Sequence, residues 1–127
     1  MEICIDFDGT LTTHDYPYIG KDIGAVPVLK KLIDKGHKLI LFTMRSGLQL
    51  QDAVNWCKQN EIILYGINTN PTQHLWTKSP KAYGQLYIDD AALGIPLKNS
   101  LNNIDHEERL FVDWDKVEEL LIEKEIL

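Results

Sequence analysis

Asp6 and Asp8 are two carboxylates separated by a single residue, near the start of a chain of 127 residues. They follow the apolar run 3–5, which has no helical period and is typical of a buried strand. Because side chains alternate along a strand, both acids begin on the same side of it. Burying an unpaired carboxylate beside an apolar strand costs free energy, so such acids are seldom kept without a role. Open α/β sheets also bind ligands at the edge where their strands end. The pair therefore indicates a functional site.

Asp-x-Asp-Gly patterns also occur in solvated turns and in the first half of calcium-binding loops. A calcium loop of the EF-hand type continues with further acidic residues and a late glutamate. Here Leu11, Thr12 and Thr13 follow, and none of them is acidic. Gly9 also lets the backbone leave the sheet through a turn that most residues disfavour. A strand that ends at a ligand-binding edge explains these features better than an EF-hand loop does.

The segment Asp6-Phe-Asp-Gly-Thr-Leu-Thr12 resembles the first motif of the haloacid dehalogenase superfamily of phosphatases and phosphotransferases. The resemblance implies that Asp6 is a nucleophile and that Asp8 is a general acid/base. The other motifs of the superfamily follow in order up to about residue 96. The stretch 80–94 further resembles a small subgroup of hydrolases in this superfamily that has no cap domain.

Alternating strand and helix patterns predict how these residues are positioned. Further strands are predicted at 38–43, 62–65 and 85–89, and helices over about 22–35 and 46–60. Strand–helix–strand connections are right-handed crossovers, so the parallel strands end at one edge of the sheet. This topology brings Thr43 close to Asp6 and Asp8.

The rest of the chain completes the predicted fold. A short helix is predicted before the fourth strand, and a weakly patterned region contains Asn102 and Asn103. Asp115 and Glu118 form a capping box that opens a final helix. We therefore predict an α/β protein with one domain over residues 1–127. The resemblance implies a three-layer Rossmann-like arrangement around a central, mainly parallel sheet.

The resemblance also implies a divalent-cation site at this edge. A cation is needed because an anionic nucleophile must approach an anionic phosphate. Carboxylate oxygens are hard ligands that suit Mg²⁺, which takes one or two protein carboxylates and keeps several waters. The resemblance assigns the metal to Asp6, to one of Asp89 and Asp90, and to the backbone carbonyl of Asp8. Mg²⁺ is therefore the predicted cofactor.

Two further side chains are predicted to contact the transferring phosphoryl group. Thr43 can donate its hydroxyl to a phosphoryl oxygen, although a threonine that ends a strand is often ordinary β-branched filler. A lysine can neutralise the group and keep Asp6 ionised. Lys81 is the predicted lysine because it lies nearest the predicted short helix, and Lys78 is the alternative.

Substrate contacts are predicted at Arg45 and Ser46, which follow the second strand, although helix capping and solvent exposure explain them equally well. The segments between the motifs are used up by crossover helices and strands, which leaves no room for a cap domain. Specificity must then come from a flap at residues 12–20, from the loop at 68–80, or from a neighbouring subunit. Trp76 in that loop either contacts substrate or packs the loop onto its own domain.

The composition of the chain limits the classes of binding partner and the cellular location that we expect. The chain is 44% hydrophobic and 25% charged, which suits one globular domain with a core. Its net charge of -6 argues against a broad nucleic-acid or anionic-membrane surface. No signal peptide is expected, and no apolar run approaches the roughly 18 residues of a membrane span. Cys4 and Cys57 lack metal-site spacing and are expected to be reduced core residues of a cytoplasmic protein.

The predicted function is hydrolysis of phosphomonoesters with Mg²⁺, on a phosphorylated small molecule or macromolecule. The alternative is a non-catalytic or regulatory domain that binds a phosphorylated partner, but every acid of the motifs is present. A response-regulator-like receiver also carries paired acids, a threonine and a lysine on a parallel sheet. Its acceptor aspartate ends a later strand, however, and it lacks the Asp-x-Asp-Gly-Thr pattern. Nothing in the sequence chooses among sugar phosphates, nucleotides and phosphorylated macromolecules.

Overall fold

The structure is a computed structural model that describes residues 1–100 and 109–127. At its centre lies a sheet of four parallel strands: β1 (Glu2–Ile5), β2 (Lys38–Leu41), β3 (Leu64–Ile67) and β4 (Leu86–Ile88). The order of the strands in the sheet is β3-β2-β1-β4. Because β1 has a neighbour on each side, the residues that follow it lie in the middle of the edge.

Three helices pack against one face of this sheet: α1 (Ala25–Asp34), α2 (Gly47–Gln59) and α3 (Trp114–Glu123). Each buries apolar side chains at helical spacing, such as Val28 and Leu32 of α1. These side chains form one core cluster with Ile3 and Ile5 of β1. Within residues 1–100 and 109–127, no helix is both long and apolar enough to cross a membrane.

The opposite face of the sheet is covered by the segment 68–85, which connects β3 to β4. Cys4 and Ile40 pack there against Ala82. The segment contains one 3₁₀ turn, Gln73–Leu75. The predicted α/β class and the parallel sheet are confirmed. The predicted short helix before β4 is wrong, and the described residues contain no second helical layer on this face.

Polar side chains organise this segment in place of helical hydrogen bonds. The buried Asn70 amide donates to the Tyr83 carbonyl at 3.1 Å. The buried Gln73 amide donates to the carbonyls of Ser79 at 3.1 Å and Lys81 at 2.9 Å. Bonds of this kind offer the backbone an alternative to a helix, which explains why the expected helix does not form.

A short antiparallel ribbon precedes α3 and was not predicted. It consists of β5 (Leu97–Lys98) and β6 (Phe111–Val112). The Val112 amide donates to the Gly9 carbonyl at 2.9 Å, which ties the ribbon to the turn after β1. Asn102 and Asn103, in the weakly patterned region, lie outside the described residues.

Two element boundaries differ from the predictions for local reasons. β3 begins two residues later than expected, because the Ile62 amide still donates to the Cys57 carbonyl at 2.8 Å and closes the end of α2. At α3, the Asp113 side chain accepts from the Lys116 amide at 3.2 Å. Asp113 is therefore the N-cap, and the predicted capping role of Asp115 is wrong.

Both cysteines are free and buried, as predicted. Cys57 lies in α2, and burial raises the pKa of its thiol to about 12. Burial also raises the pKa of Cys4. Neither side chain is therefore suited to thiolate chemistry, and both act as packing residues.

Candidate active site

A cavity of about 830 Å³ opens at the edge of the sheet. The acids predicted from the sequence line it together with Thr43: Asp6 and Asp8 after β1, and Asp89 and Asp90 after β4. Parallel pairing of β1 with both of its neighbours places their ends side by side. The topology thus brings together side chains that are far apart in the sequence. The other lining residues are His14, Asp15, Tyr16, Met44, Arg45, Ala91 and Arg109.

Three of the acids converge, and we call Asp6, Asp89 and Asp90 the carboxylate cluster. Each offers one oxygen, and these oxygens all lie within 4.8 Å of one another. All three residues are half-buried. An all-oxygen set of this kind matches the ligands that Mg²⁺ and other hard divalent cations prefer.

Thr10 holds the carboxylate cluster together and was not predicted as a site residue. Its hydroxyl donates to Asp6 Oδ2 at 2.8 Å and accepts from the Asp90 amide at 3.0 Å. Thr10 is completely buried, and its carbonyl accepts from the indole N–H of Trp114 at 2.7 Å. Helix α3 therefore supports the cluster through one buried threonine. A threonine in a turn is too common for the sequence to reveal this role.

Burial and neighbouring carboxylates change the acidity of Asp6. Its pKa is raised to about 8, mainly by burial, with the hydrogen bond with Asp90 and the charge of Asp89 acting in the same direction. The Thr10 hydroxyl and the Phe7 amide oppose this shift. The cluster thus lacks positive charge, which a bound divalent cation would supply. The donor set and its charge both fit a metal such as Mg²⁺.

His14 closes one side of the carboxylate cluster. Its Nε2 atom lies 3.1 Å from Asp90 Oδ2, and its side chain is 15% exposed. The imidazole lies so close to Gly9 that a Cβ atom at that position would collide with the ring. Gly9 also has a φ of +76°, which favours glycine. The glycine of the first motif is therefore required both by its backbone conformation and by the adjacent histidine.

Asp8 is not part of the carboxylate cluster and is paired with Arg45. The Nε and Nη2 atoms of Arg45 donate to the two oxygens of Asp8 at 2.8 and 2.7 Å. Arg45 is only 2% exposed, and the hydrogen bond with Asp8 is the main cause that raises its pKa. The donors of Arg45 are used within the protein, and its predicted substrate contact stays a prediction.

Thr43 and Ser46 have different surroundings, although both were predicted to act at the site. Thr43 lines the cavity, and its hydroxyl oxygen accepts from the Arg45 amide at 3.1 Å. Its hydroxyl hydrogen can still be donated to a ligand. Ser46 is exposed at the N-cap of α2 and does not line the cavity.

Lys81 and Trp76 lie together in a second hollow of about 370 Å³ that shares no residue with the carboxylate cavity. The Lys81 ammonium stands 5.2 Å from the centre of the Tyr87 ring. Trp76 packs edge-to-face on Tyr83 at 5.2 Å and remains 64% exposed. The structure therefore does not bring Lys81, Trp76 or the alternative Lys78 to the acids. The irregular segment 68–85 determines their positions.

Comparisons with known proteins place the chain in a family without naming an activity. No protein-family model matches the chain, and no curated protein matches it. A solved structure is described as that of a conserved protein coded by a locus from Bacteroides thetaiotaomicron. It is 36% identical, has a TM-score of 0.78, and is matched over 98% of this chain and 91% of its own. The chain therefore belongs to the same family as this conserved protein of Bacteroides thetaiotaomicron.

Proposed function

We propose that this protein is a Mg²⁺-dependent phosphomonoester hydrolase of the haloacid dehalogenase type. The observation that carries the proposal is the division of its acids into two groups. The carboxylate cluster converges within 4.8 Å, whereas Asp8 is bound by Arg45. A covalent phosphatase needs one acid that attacks phosphorus and a second that exchanges protons. The resemblance of the first motif assigns these roles to Asp6 and Asp8.

The proposed reaction has two steps, in which the phosphoryl group passes first to Asp6 and then to water. In the first step, a carboxylate oxygen of Asp6 attacks phosphorus, and the bond between phosphorus and the leaving oxygen breaks. Asp8 donates its proton to that oxygen, so that the alcohol departs uncharged. In the second step, Asp8 accepts a proton from water, whose oxygen attacks phosphorus. The bond between phosphorus and Asp6 breaks, phosphate leaves, and both acids return to their starting states.

The cation would be held by Asp6 with Asp89 or Asp90, together with the backbone carbonyl of Asp8 that the resemblance implies. When bound, Mg²⁺ supplies the positive charge that lets an anionic carboxylate approach an anionic phosphate. Thr10 orients Asp6 through its 2.8 Å hydrogen bond. The raised pKa of Asp6 supports this arrangement, because the cluster needs a counter-charge to keep the nucleophile ionised.

Phosphoryl oxygens would be bound by Thr43 and Arg109, which both line the cavity. Thr43 retains a hydroxyl hydrogen for donation, and Arg109 is exposed at the cavity wall. The free, buried cysteines suit a reducing compartment, so a cytoplasmic location belongs to the proposal.

Hydrolysis of an aryl phosphate tests the proposal. We expect turnover that requires Mg²⁺ and stops with EDTA. Asp6→Asn keeps the shape of the side chain but removes the anionic nucleophile, so turnover should fall by on the order of 10³-fold or more.

Asp34→Asn is the matched control, because Asp34 is an exposed acid at the carboxyl end of α1. It removes one negative charge and should leave turnover unchanged. Near-normal turnover by Asp6→Asn would show that Asp6 is not the nucleophile.

A further inference from the structure

Arg45 is buried among groups from three parts of the chain. Its guanidinium carbon lies 4.9 Å from the centre of the Phe7 ring and 5.2 Å from that of the Tyr16 ring. Phe7 follows β1, and Tyr16 belongs to the flap. A guanidinium over two ring faces is held firmly, because both faces attract it.

Every donor of this guanidinium is occupied. An arginine side chain has five N–H groups, and two of them bond the carboxylate of Asp8 at 2.8 and 2.7 Å. The other three donate to backbone carbonyls: to Pro17 at 3.3 Å, to Tyr18 at 2.7 Å and to Gln49 at 3.2 Å. No N–H remains for a phosphate, so Arg45 differs from an arginine that clamps substrate.

The bond to Asp8 fixes an orientation without blocking proton exchange. Each carboxylate oxygen has two lone-pair positions, and the paired N–H groups use one on each. The second position on each oxygen can carry the proton that the proposed reaction transfers.

The same side chain also holds the wall of the cavity. The carbonyls of Pro17 and Tyr18 belong to the flap, whose Asp15 and Tyr16 line the cavity. The Gln49 carbonyl belongs to the first turn of α2. One buried guanidinium therefore joins the end of β1, the flap and the start of α2.

We propose that Arg45 is a positioning residue for proton transfer: it holds Asp8 away from the carboxylate cluster and aims it at the leaving group. This role rests on the proposed phosphatase function. It predicts a specific defect in the first step when Arg45 is changed, because in that step only substrates that need a proton on the leaving oxygen depend on the aim of Asp8.

A series of aryl phosphates with increasingly basic leaving groups measures that defect. Acidic phenols leave as anions without help, whereas weakly acidic phenols need the proton from Asp8. We expect Arg45→Gln to lower kcat/KM, which reports the first step alone, by about 10-fold or less with the best leaving group and by about 10²–10³-fold with the poorest. Asp8→Asn should show the same steep dependence. The double variant should lose little more than Asp8→Asn alone, since both act on one step.

Two further variants separate positioning from folding. Arg45→Lys keeps the charge but cannot form the paired bond, so it should fold and show an intermediate dependence on the leaving group. Lys58→Gln removes an exposed cation of α2 and should match the unchanged protein. Mg²⁺ affinity, measured by calorimetry, should stay within about threefold in Arg45→Lys.

Each outcome decides the role of Arg45. Equal losses of kcat/KM with all leaving groups, which leave the dependence on the leaving group unchanged, would overturn it in favour of a structural or phosphate-binding role. If the unchanged protein hydrolyses no monoester with Mg²⁺, the proposed function fails, and the role of Arg45 fails with it. A flat series in an active enzyme overturns the role of Arg45 alone.

Discussion

Asp6 carries its charge at greater cost in the folded chain than in the unfolded one, because it is largely buried and two other carboxylates lie beside it. Its pKa rises from 3.8 to about 8. Between these values the folded chain binds more protons at this site than the unfolded chain does. The free energy of unfolding must therefore fall as pH rises through this window, and it must level off above it.

This coupling predicts a pH-dependent stability in EDTA. From pH 4 to pH 8, the contribution of Asp6 should lower the free energy of unfolding by on the order of a few kcal/mol. Asp6→Asn does not titrate, so its urea unfolding curves should lack this part of the decline. Mg²⁺ should offset the decline in the unchanged protein, because it favours the ionised carboxylate. Equal declines in the two proteins would show that Asp6 is ionised throughout.

At the scale of secondary-structure elements, α3 connects the carboxyl end of the chain to the site. Asp113 caps the helix, and the next residue, Trp114, donates its indole N–H to the Thr10 carbonyl at 2.7 Å. Thr10 in turn bonds Asp6. The start of α3 therefore needs to be fixed for the carboxylate cluster to keep its geometry.

Asp113→Ala tests this connection. The loss of the bond to the Lys116 amide should lower the free energy of unfolding by about 1 kcal/mol. Asp115→Ala is the matched control, since Asp115 lies in the first turn and contributes only through the helix dipole, about 0.3–1 kcal/mol. Thermal or urea unfolding measures both. A larger loss for Asp115→Ala would restore the capping box predicted from the sequence.

At the scale of the whole molecule, the site residues that directly follow strands of the sheet could be predicted from the sequence. Asp6, Thr43 and Asp89 each follow a short apolar run, and right-handed crossovers bring the ends of such runs to one edge. These positions depend only on strand order and direction, which the alternation of strands and helices implies. The three residues accordingly line one cavity in the structure.

The parts that depend on side-chain direction or irregular backbone could not be predicted. Lys81 lies in a segment organised by the buried amides of Asn70 and Gln73, and no periodic pattern indicates such bonds. The pairing of Arg45 with Asp8 joins side chains 37 residues apart, and their sequence positions do not indicate it. Arg45 therefore makes its contacts within the protein. Lys81 lies away from the acids.

The most direct test of the central claim is detection of a phosphoryl group on Asp6. The protein is mixed with Mg²⁺ and an aryl phosphate, quenched in acid during turnover, digested, and analysed by tandem mass spectrometry. We predict one phosphoryl group on Asp6, more of it in Asp8→Asn because water is no longer activated for the second step, and none in Asp6→Asn. Hydrolysis without phosphorylation of Asp6 in either the unchanged protein or Asp8→Asn, or phosphorylation of a different residue, would contradict the account.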